Sequence, residues 1–303
     1  MAERRASLES NNSGKTPTMN KPVTGLQAAS LSLAPLTPTI GAEVSGVDLS
    51  RPLAAETVAA IRAALLDWKV LFFRGQAIDT DQHLAFARSF GELEVHPFAP
   101  HKSGYPEILA ITHDRDRPGR ENTWHSDVTW REIPSLGSVL HALEVPPVGG
   151  DTLFADMAAA YEGLPDSMKE KIDGKFAVHD FGHFRTGLRK AGKSEEEIEA
   201  FNRAYPKVEH PIVRTHPETG AKAIYVNAAF TQAVVGLEKA ESDALLTYLY
   251  ARAAIPEYQC RFRWDAGAIA FWDNRASQHY AVSDYWPAVR RMERATIIGD
   301  RPR

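Results

Sequence analysis

The sequence predicts a mainly β domain, a sandwich or barrel with helices on its flanks. Three observations carry that expectation. From about residue 105 onward short apolar runs alternate with turn residues, at 107–112, 123–130, 136–145, 151–155, 175–180, 209–215, 222–227, 258–264, 268–273 and 290–298. Only three helical patterns interrupt them, at about 156–172, 194–204 and 238–252. No repeat of fixed period and no low-complexity linker divides the 303 residues, so 26–303 is read as one domain.

The first elements follow in order. Residues 1–25 are rich in Ser, Asn, Lys, Thr and Pro without hydrophobic period, which predicts a disordered tail. The Gly14-Lys15-Thr16 triplet is no phosphate loop, because Glu9 stands where its first glycine belongs. Residues 40–49 alternate like a short strand bent at Gly41 and Gly46. Val58, Ile61, Leu65 and Trp68 then form one stripe of an amphipathic helix over 54–68. Val70-Leu71-Phe72-Phe73 suits a strand buried on both faces. A second helix over 80–90 turns Leu84, Ala87 and Phe90 inward. Two polar stretches, 113–122 and 181–196, are too long for tight turns and read as a lid and a second surface or binding loop.

Composition removes several functions. Lys+Arg 35 against Asp+Glu 39 leaves −4, with no basic excess to displace counterions from a nucleic acid. No apolar run reaches the ~18 residues that span a bilayer, and no apolar stretch follows the basic start as a secretory signal requires. The single Cys260 excludes an intrachain disulfide and a cysteine-rich metal site. The expected setting is the cytoplasm.

Metal chemistry therefore falls to histidine and carboxylate. On a strand, residues two apart share a face, so His-x-Asp/Glu brings an imidazole and a carboxylate together. Two such pairs occur, which is near chance for 11 histidines and 39 acids. His216-Pro217-Glu218 lies in a turn signature between two strand-like runs and reads as a hairpin tip. His125-Ser126-Asp127 lies in Thr123–Trp130, where odd positions are polar and even positions largely apolar, as in a strand facing a cavity. A facial site of two histidines and one carboxylate needs a further histidine, for which His279 is the best candidate. Arg290 lies eleven positions later and offers a planar, permanently charged fork for a carboxylate.

Trp124-His125-Ser126-Asp127-Val128-Thr129, Gly149-Gly150-Asp151-Thr152, Trp272-Asp273-Asn274-Arg275 and Gln278-His279-Tyr280-Ala281 together resemble the taurine/2,4-D dioxygenase (TauD/TfdA) family. The closing Arg290–Thr296 segment continues the match, which runs from about 35 to 302. The resemblance implies a double-stranded β-helix (a cupin-like jelly roll) and a non-haem Fe(II), 2-oxoglutarate-dependent dioxygenase. It implies that His125, Asp127 and His279 hold iron, and that Thr152 and Arg290 bind the distal carboxylate of 2-oxoglutarate. Arg294 matches the residue that anchors the substrate's anion, with His96, Val128 and Phe230 at further substrate positions. The implied reaction hydroxylates a small anionic substrate at the expense of 2-oxoglutarate and O2. A hydroxylated sulfonate or sulfate ester then collapses to an aldehyde, releasing sulfite or sulfate. The family also implies a homo-oligomer, dimer or tetramer.

The match departs at two places. Taurine enzymes carry His-Pro-x-Tyr where this chain has His96-Pro97-Phe98-Ala99, and an asparagine at the position of Glu121. The lost tyrosine enlarges the expected pocket, and a carboxylate at 121 would pair with an amine or face solvent. Alkylsulfatase members agree better over Arg120–Trp124, so a larger sulfonate or an alkyl sulfate fits at least as well as taurine. A carboxylate substrate such as an aryloxyalkanoate is the alternative within the family. Outside it stand a zinc hydrolase, which leaves Arg290 unexplained, and a non-catalytic anion-binding barrel, against which the three intact ligands speak.

Overall fold

The apolar run Val70–Phe73 (β3) lies between Ala42–Ser45 (β2) and Ile269–Asp273 (β14) in an eight-stranded sheet. The computed structural model describes residues 31–303 apart from Phe98 and Ala191, so the expected tail at 1–25 lies outside the described residues. The sheet order is β1 (Ser32–Pro35), β2, β3, β14, β6 (Ser135–Glu144), β16 (Arg290–Ile298), β5 (Tyr105–His113) and β4 (His101–Lys102). A three-stranded sheet places β7 (Thr152–Asp156) between β13 (Gln259–Phe262) and β15 (Ser277–Ala281). A second triplet orders β12 (Thr231–Val234), β8 (Phe176–His179) and β9 (Val208–Pro211). The remaining strands, β10 (Val213–Thr215) and β11 (Lys222–Ile224), form a hairpin whose tip holds His216, as expected.

Alternation along the central strands sorts their side chains into two cores. Leu71, Phe73, Ile269, Phe271, Ala295 and Ile297 face α1 (Ala55–Trp68) and α2 (Thr80–Arg88), where Ile61, Leu65, Leu84, Phe86 and Phe90 complete a helix-side core. Val70, Phe72, Ala270, Trp272 and Met292 face the other way, against Phe154 of β7 and Phe262 of β13. Phe72 stacks on Phe262 at 4.0 Å and meets Phe154 edge-on at 5.6 Å, so two sheets pack face to face as a jelly roll. Met292 points inward, and Arg290 and Arg294, two residues either side of it, share its face.

Several expectations need correction. Thr123–Trp130 is no strand: it holds a single bridge at His125 and turns from residue 127, with Val128 at φ 48°. A positive φ at a β-branched residue breaks the alternation that the composition suggested. The helix expected over 156–172 is two, α3 (Met157–Glu162) and α4 (Asp166–Ile172), parted at Gly163 and Pro165. The loop expected over 181–196 contains α5 (Gly182–Lys190), followed by α6 (Glu195–Ala204), whose start Ser194 and Glu197 fix with a capping box. Residues 209–215 divide into β9 and β10, and α7 (Lys239–Tyr250) stands as expected. The strands β1, β4, β12 and β15 were not foreseen. Among the described residues no helix is long and apolar enough to cross a membrane.

Candidate metal centre

β15 carries His279 into the space between the two packed sheets. Its backbone bridges that of His125 in both directions, His125 N–H to the His279 carbonyl at 3.1 Å and His279 N–H to the His125 carbonyl at 2.8 Å. This one bridge brings together residues 154 positions apart, and it sets the two imidazoles with centroids at 4.2 Å. Asp127 follows two residues on, at the start of the turn. Ligand atoms of His125, Asp127 and His279 all lie within 4.8 Å of one another.

Asp127 Oδ1 is 3.7 Å from His125 Nε2 and 3.8 Å from His279 Nε2, too long for hydrogen bonds. The same oxygen accepts Arg294 Nη1 at 2.9 Å, and Oδ2 accepts the Ser138 hydroxyl at 3.2 Å. Burial alone would raise this carboxyl, but Arg294 first, then His279 and His125, outweigh it and hold the pKa at about 2. Burial pushes His279 down to about 3, with His125 beside it adding to the shift. At neutral pH the cluster therefore offers one carboxylate and a neutral His279. His125 Nδ1 lies 2.7 Å from the Thr123 carbonyl and donates to it, which leaves Nε2 as the ring nitrogen turned toward the cluster.

Two cavities meet here. The inner one, about 70 Å³, is lined by Thr152, Trp272, His279 and Arg290 among others. The outer one, about 570 Å³, is lined by His96, Val128, Trp130, Phe181 and Phe230. His125 and Arg294 line both. The structure thus divides the expected residues: Thr152 and Arg290 fall in the inner chamber, and His96, Val128 and Phe230 in the outer cleft.

Arg290 is 4% exposed, and among the described residues no carboxylate lies within ion-pair distance of it. Its guanidinium lies 5.9 Å from the Trp264 ring, and Trp264 Nε1 donates to Thr152 Oγ1 at 3.0 Å. Gly150, at φ 72°, lets the chain pass close to Arg290 Cδ, which a Cβ there would approach to 3.4 Å. In the outer cleft Trp130 stacks on Phe181 at 5.0 Å, and the Phe230 ring stands edge-on to His125 at 6.2 Å. Burial lowers the His96 pKa to about 4, reinforced by Arg294 and Arg131, so His96 is neutral in the working range.

Sequence reasoning passed over three groups. Asn274 stood in the quoted Trp272–Arg275 motif without a role, although its amide grips the Asp127 backbone. Ser138 and Trp264 lie on strand-like segments with no motif to flag them. Glu121, foreseen as meeting an amine or solvent, is half exposed to solvent and also faces His113 Nε2 at 3.3 Å, while His113 Nδ1 lies 2.8 Å from the Tyr285 hydroxyl. His216 is buried against Asp273 at 3.0 Å and belongs to no metal cluster among the described residues.

Two imidazoles and one carboxylate between the sheets of a jelly roll define the class of non-haem iron oxygenases with open coordination positions. The comparisons with known proteins make the class particular. The chain belongs to the TauD/TfdA family, whose model, described as taurine catabolism dioxygenase TauD, TfdA family, matches residues 32–296. It is 39% identical over 284 residues to an alpha-ketoglutarate-dependent sulfate ester dioxygenase of Pseudomonas putida, covering 92% of this chain and 93% of that protein. An alkylsulfatase of Acinetobacter baylyi is 38% identical over 276 residues, with 89% and 86% covered. The crystal structure of a taurine dioxygenase from Burkholderia xenovorans superposes with a TM-score of 0.78 at 40% identity, covering 90% and 91% of the chains. The protein is thus an Fe(II)- and 2-oxoglutarate-dependent dioxygenase. Nitrogen and carboxylate donors, with neighbours that orient them, suit that ion.

Proposed function

We propose that His125, Asp127 and His279 hold the Fe(II), that Arg290 and Thr152 take the distal carboxylate of 2-oxoglutarate, and that the substrate is an organic sulfate ester or sulfonate with an apolar chain. The observation that carries this reading is the pair of cavities that meet at His125 and Arg294, with Arg290 in the inner one. The iron and 2-oxoglutarate together supply the O2-dependent oxidation of a substrate C–H bond. The protein's residues supply everything that makes it selective.

Arg290, buried, presents a two-pronged donor in a small chamber, where a charge-assisted pair with a dicarboxylate is strong. The Trp264 indole, bonded to Thr152, holds that wall in place. Arg294 stands at the junction and orients the substrate's anionic end toward the His125 side. His96, being neutral, contributes a hydrogen bond without competing charge. Trp130, Phe181 and Phe230 receive the carbon chain and exclude water from the reacting bond. Glu121 and Asp127 are the carboxylates lining the outer cleft, and each already faces an imidazole or a guanidinium, which weakens both as partners for an ammonium group. A sulfate ester or alkyl sulfonate therefore fits better than taurine. The segment 114–122, carrying Arg117 and Glu121 to the cleft, serves as the lid. The cytoplasm is the setting we assign, in keeping with a lone cysteine that is buried.

The test is an anaerobic titration with Fe(II) and 2-oxoglutarate, followed by a panel of alkyl sulfates, sulfonates and aryloxyalkanoates scored by succinate. The expected result is a weak visible charge-transfer band in wild type, its loss in Asp127→Ala, and the fastest coupled turnover on alkyl sulfates or alkyl sulfonates. A band of full strength in Asp127→Ala would sink the ligand assignment. Fastest turnover on an aryloxyalkanoate would sink the substrate class.

A further inference from the structure

At the end of β14 the Asn274 side chain does what a neighbouring strand does elsewhere. Its Oδ1 accepts the Asp127 N–H at 2.6 Å, and its Nδ2 donates to the Asp127 carbonyl at 2.9 Å. A further contact reaches the Ser135 carbonyl at 3.3 Å, and the Asn274 backbone N–H donates to the Leu136 carbonyl at 2.9 Å. Asn274 is wholly buried. Both main-chain groups of residue 127 are thus completed at the point where strand pairing stops. On one side His125 is bridged to His279; on the other Val128 turns away at φ 48°. A planar carboxamide holds a donor and an acceptor side by side, a combination that no carboxylate or hydroxyl reproduces.

The residues on either side of Asn274 are locked as well. Asp273 accepts Arg275 Nε at 2.9 Å and Nη2 at 2.7 Å, and faces His216 Nε2 at 3.0 Å. Arg275 Nη1 continues to Glu218 at 2.7 Å, and Glu218 takes Arg62 of α1 at 2.9 Å. The amide therefore has little freedom to follow a displaced Asp127.

We infer that Asn274 is a positioning residue for the metal centre, fixing the backbone of Asp127 and through it the direction of the carboxylate. The inference rests on the reading of His125, Asp127 and His279 as ligands. Partners of this kind, one step removed from the ion, typically alter metal affinity by about 10- to 100-fold.

Co(II) is the probe, added to metal-free protein and followed by its visible absorption. Asn274→Asp keeps the size of the side chain but sets an oxygen against the Asp127 and Ser135 carbonyls. Asn274→Ala removes both bonds. Ile61→Val, in the helix-side core, is the control for lost stability alone. The expected result is roughly 10- to 100-fold weaker Co(II) binding with an altered spectrum in the Asn274 variants, and unchanged binding in Ile61→Val. Wild-type affinity and spectrum in the Asn274 variants, or an equal loss in Ile61→Val, overturns the role. Should neither Asn274 variant fold, hydrogen exchange in the wild type decides: the Asp127 amide is expected to be protected like a sheet amide, and exchange at the rate of an unstructured peptide overturns the clamp. Failure of the ligand reading shows separately, as wild-type protein that does not bind Co(II) or as undiminished binding in Asp127→Ala.

Discussion

Arg290 and Arg294 stand four residues apart on one strand and on one face, yet their surroundings are opposite. Arg290 lies in the inner chamber with an indole nearby and, among the described residues, no ion-pair partner. Burial lowers its pKa from the ordinary value, with Tyr285 and Glu121 only partly offsetting it. Arg294 donates to the Asp127 carboxylate at 2.9 Å, and its Nε is buried without a hydrogen-bond partner. The same side chain is thus uncompensated in one place and neutralised in the other. What separates the two is the neighbouring carboxylate, not the strand. An anion entering the inner chamber meets a full positive charge; one entering the outer cleft shares Arg294 with Asp127.

The largest expected effect comes from removing the shared arginine. Arg294→Ala strands the Asp127 carboxylate and deletes the anion's partner, and loss of one member of a buried charge pair costs about 2–5 kcal/mol. That corresponds to a fall of at least about 30-fold in coupled turnover of an alkyl sulfate. Binding of 2-oxoglutarate, read by the charge-transfer band, is expected to hold. Equal damage to both ligands would erase the distinction between the two arginines.

Arg290→Lys is the reciprocal test and a smaller one. A lysine keeps the charge but loses the fork, so one charge-assisted bond of about 1.5–3 kcal/mol goes. The dissociation constant for 2-oxoglutarate is expected to rise about 10- to 100-fold, with the KM for the sulfated substrate unchanged. A shift confined to the substrate would mean the two chambers are assigned in reverse.

How much of this was legible depended on whether a residue's role was local. The strands β5 and β16 and the helix α1 follow from their local patterns, because each buries a face against the helix-side core, and β3 follows from its unbroken apolar run, buried on both faces. Arg290 and Arg294 share a face for that reason alone. The 123–130 segment shows the opposite case. Its polar and apolar residues alternate, but Asn274, far along the chain, supplies the hydrogen bonds that let the backbone turn at Val128. Local composition carries no trace of that partner. The α5 helix was hidden by Gly182 and Gly187, poor helix formers over a short span. His125, Asp127 and His279 do lie together, as expected, although the strand assumed for two of them does not exist, because a bridge between His125 and His279 does the joining.

A third difference concerns the histidines on the two faces of the large sheet. His83, on the helix side, is lowered to about 3 by burial, countered in part by the Val139 carbonyl. His96, in the outer cleft, is lowered to about 4 by burial and then by Arg294. Both have folded values below the unfolded 6.5, so the unfolded chain binds protons first as pH falls. Their contribution is complete above about 6.5 and is lost as pH drops toward 4 and 3, each by up to about 1.4 kcal/mol per pH unit. Thermal unfolding between pH 6.5 and 5 is expected to shift downward with acid. The slope should be shallower in Arg294→Ala, where His96 recovers part of its basicity, and unchanged in Arg290→Lys. An identical slope in all three proteins would show that Arg294 does not act on the cleft histidine.

The smallest expected effect is at Glu121, where sequence and structure part over what the carboxylate does. Burial opposes its charge, but the contact with His113 and the backbone amides of Arg120 and Glu121 together outweigh burial and hold the carboxyl at about 2. The side chain is half exposed, so solvent screening leaves the pair at a few tenths of a kcal/mol to about 1 kcal/mol. Glu121→Gln removes the charge and keeps the shape. If Glu121 served an ammonium group, the variant would lose activity only on amine-bearing sulfonates. Because the carboxylate faces the imidazole of His113, and that imidazole faces Tyr285, the expected change is at most about fivefold and equal for amine-bearing and amine-free substrates. Paired rates on taurine and on a simple alkyl sulfonate of the same length decide it: a selective collapse on taurine would restore an amine-binding role to Glu121 and return the outer cleft to a zwitterionic substrate.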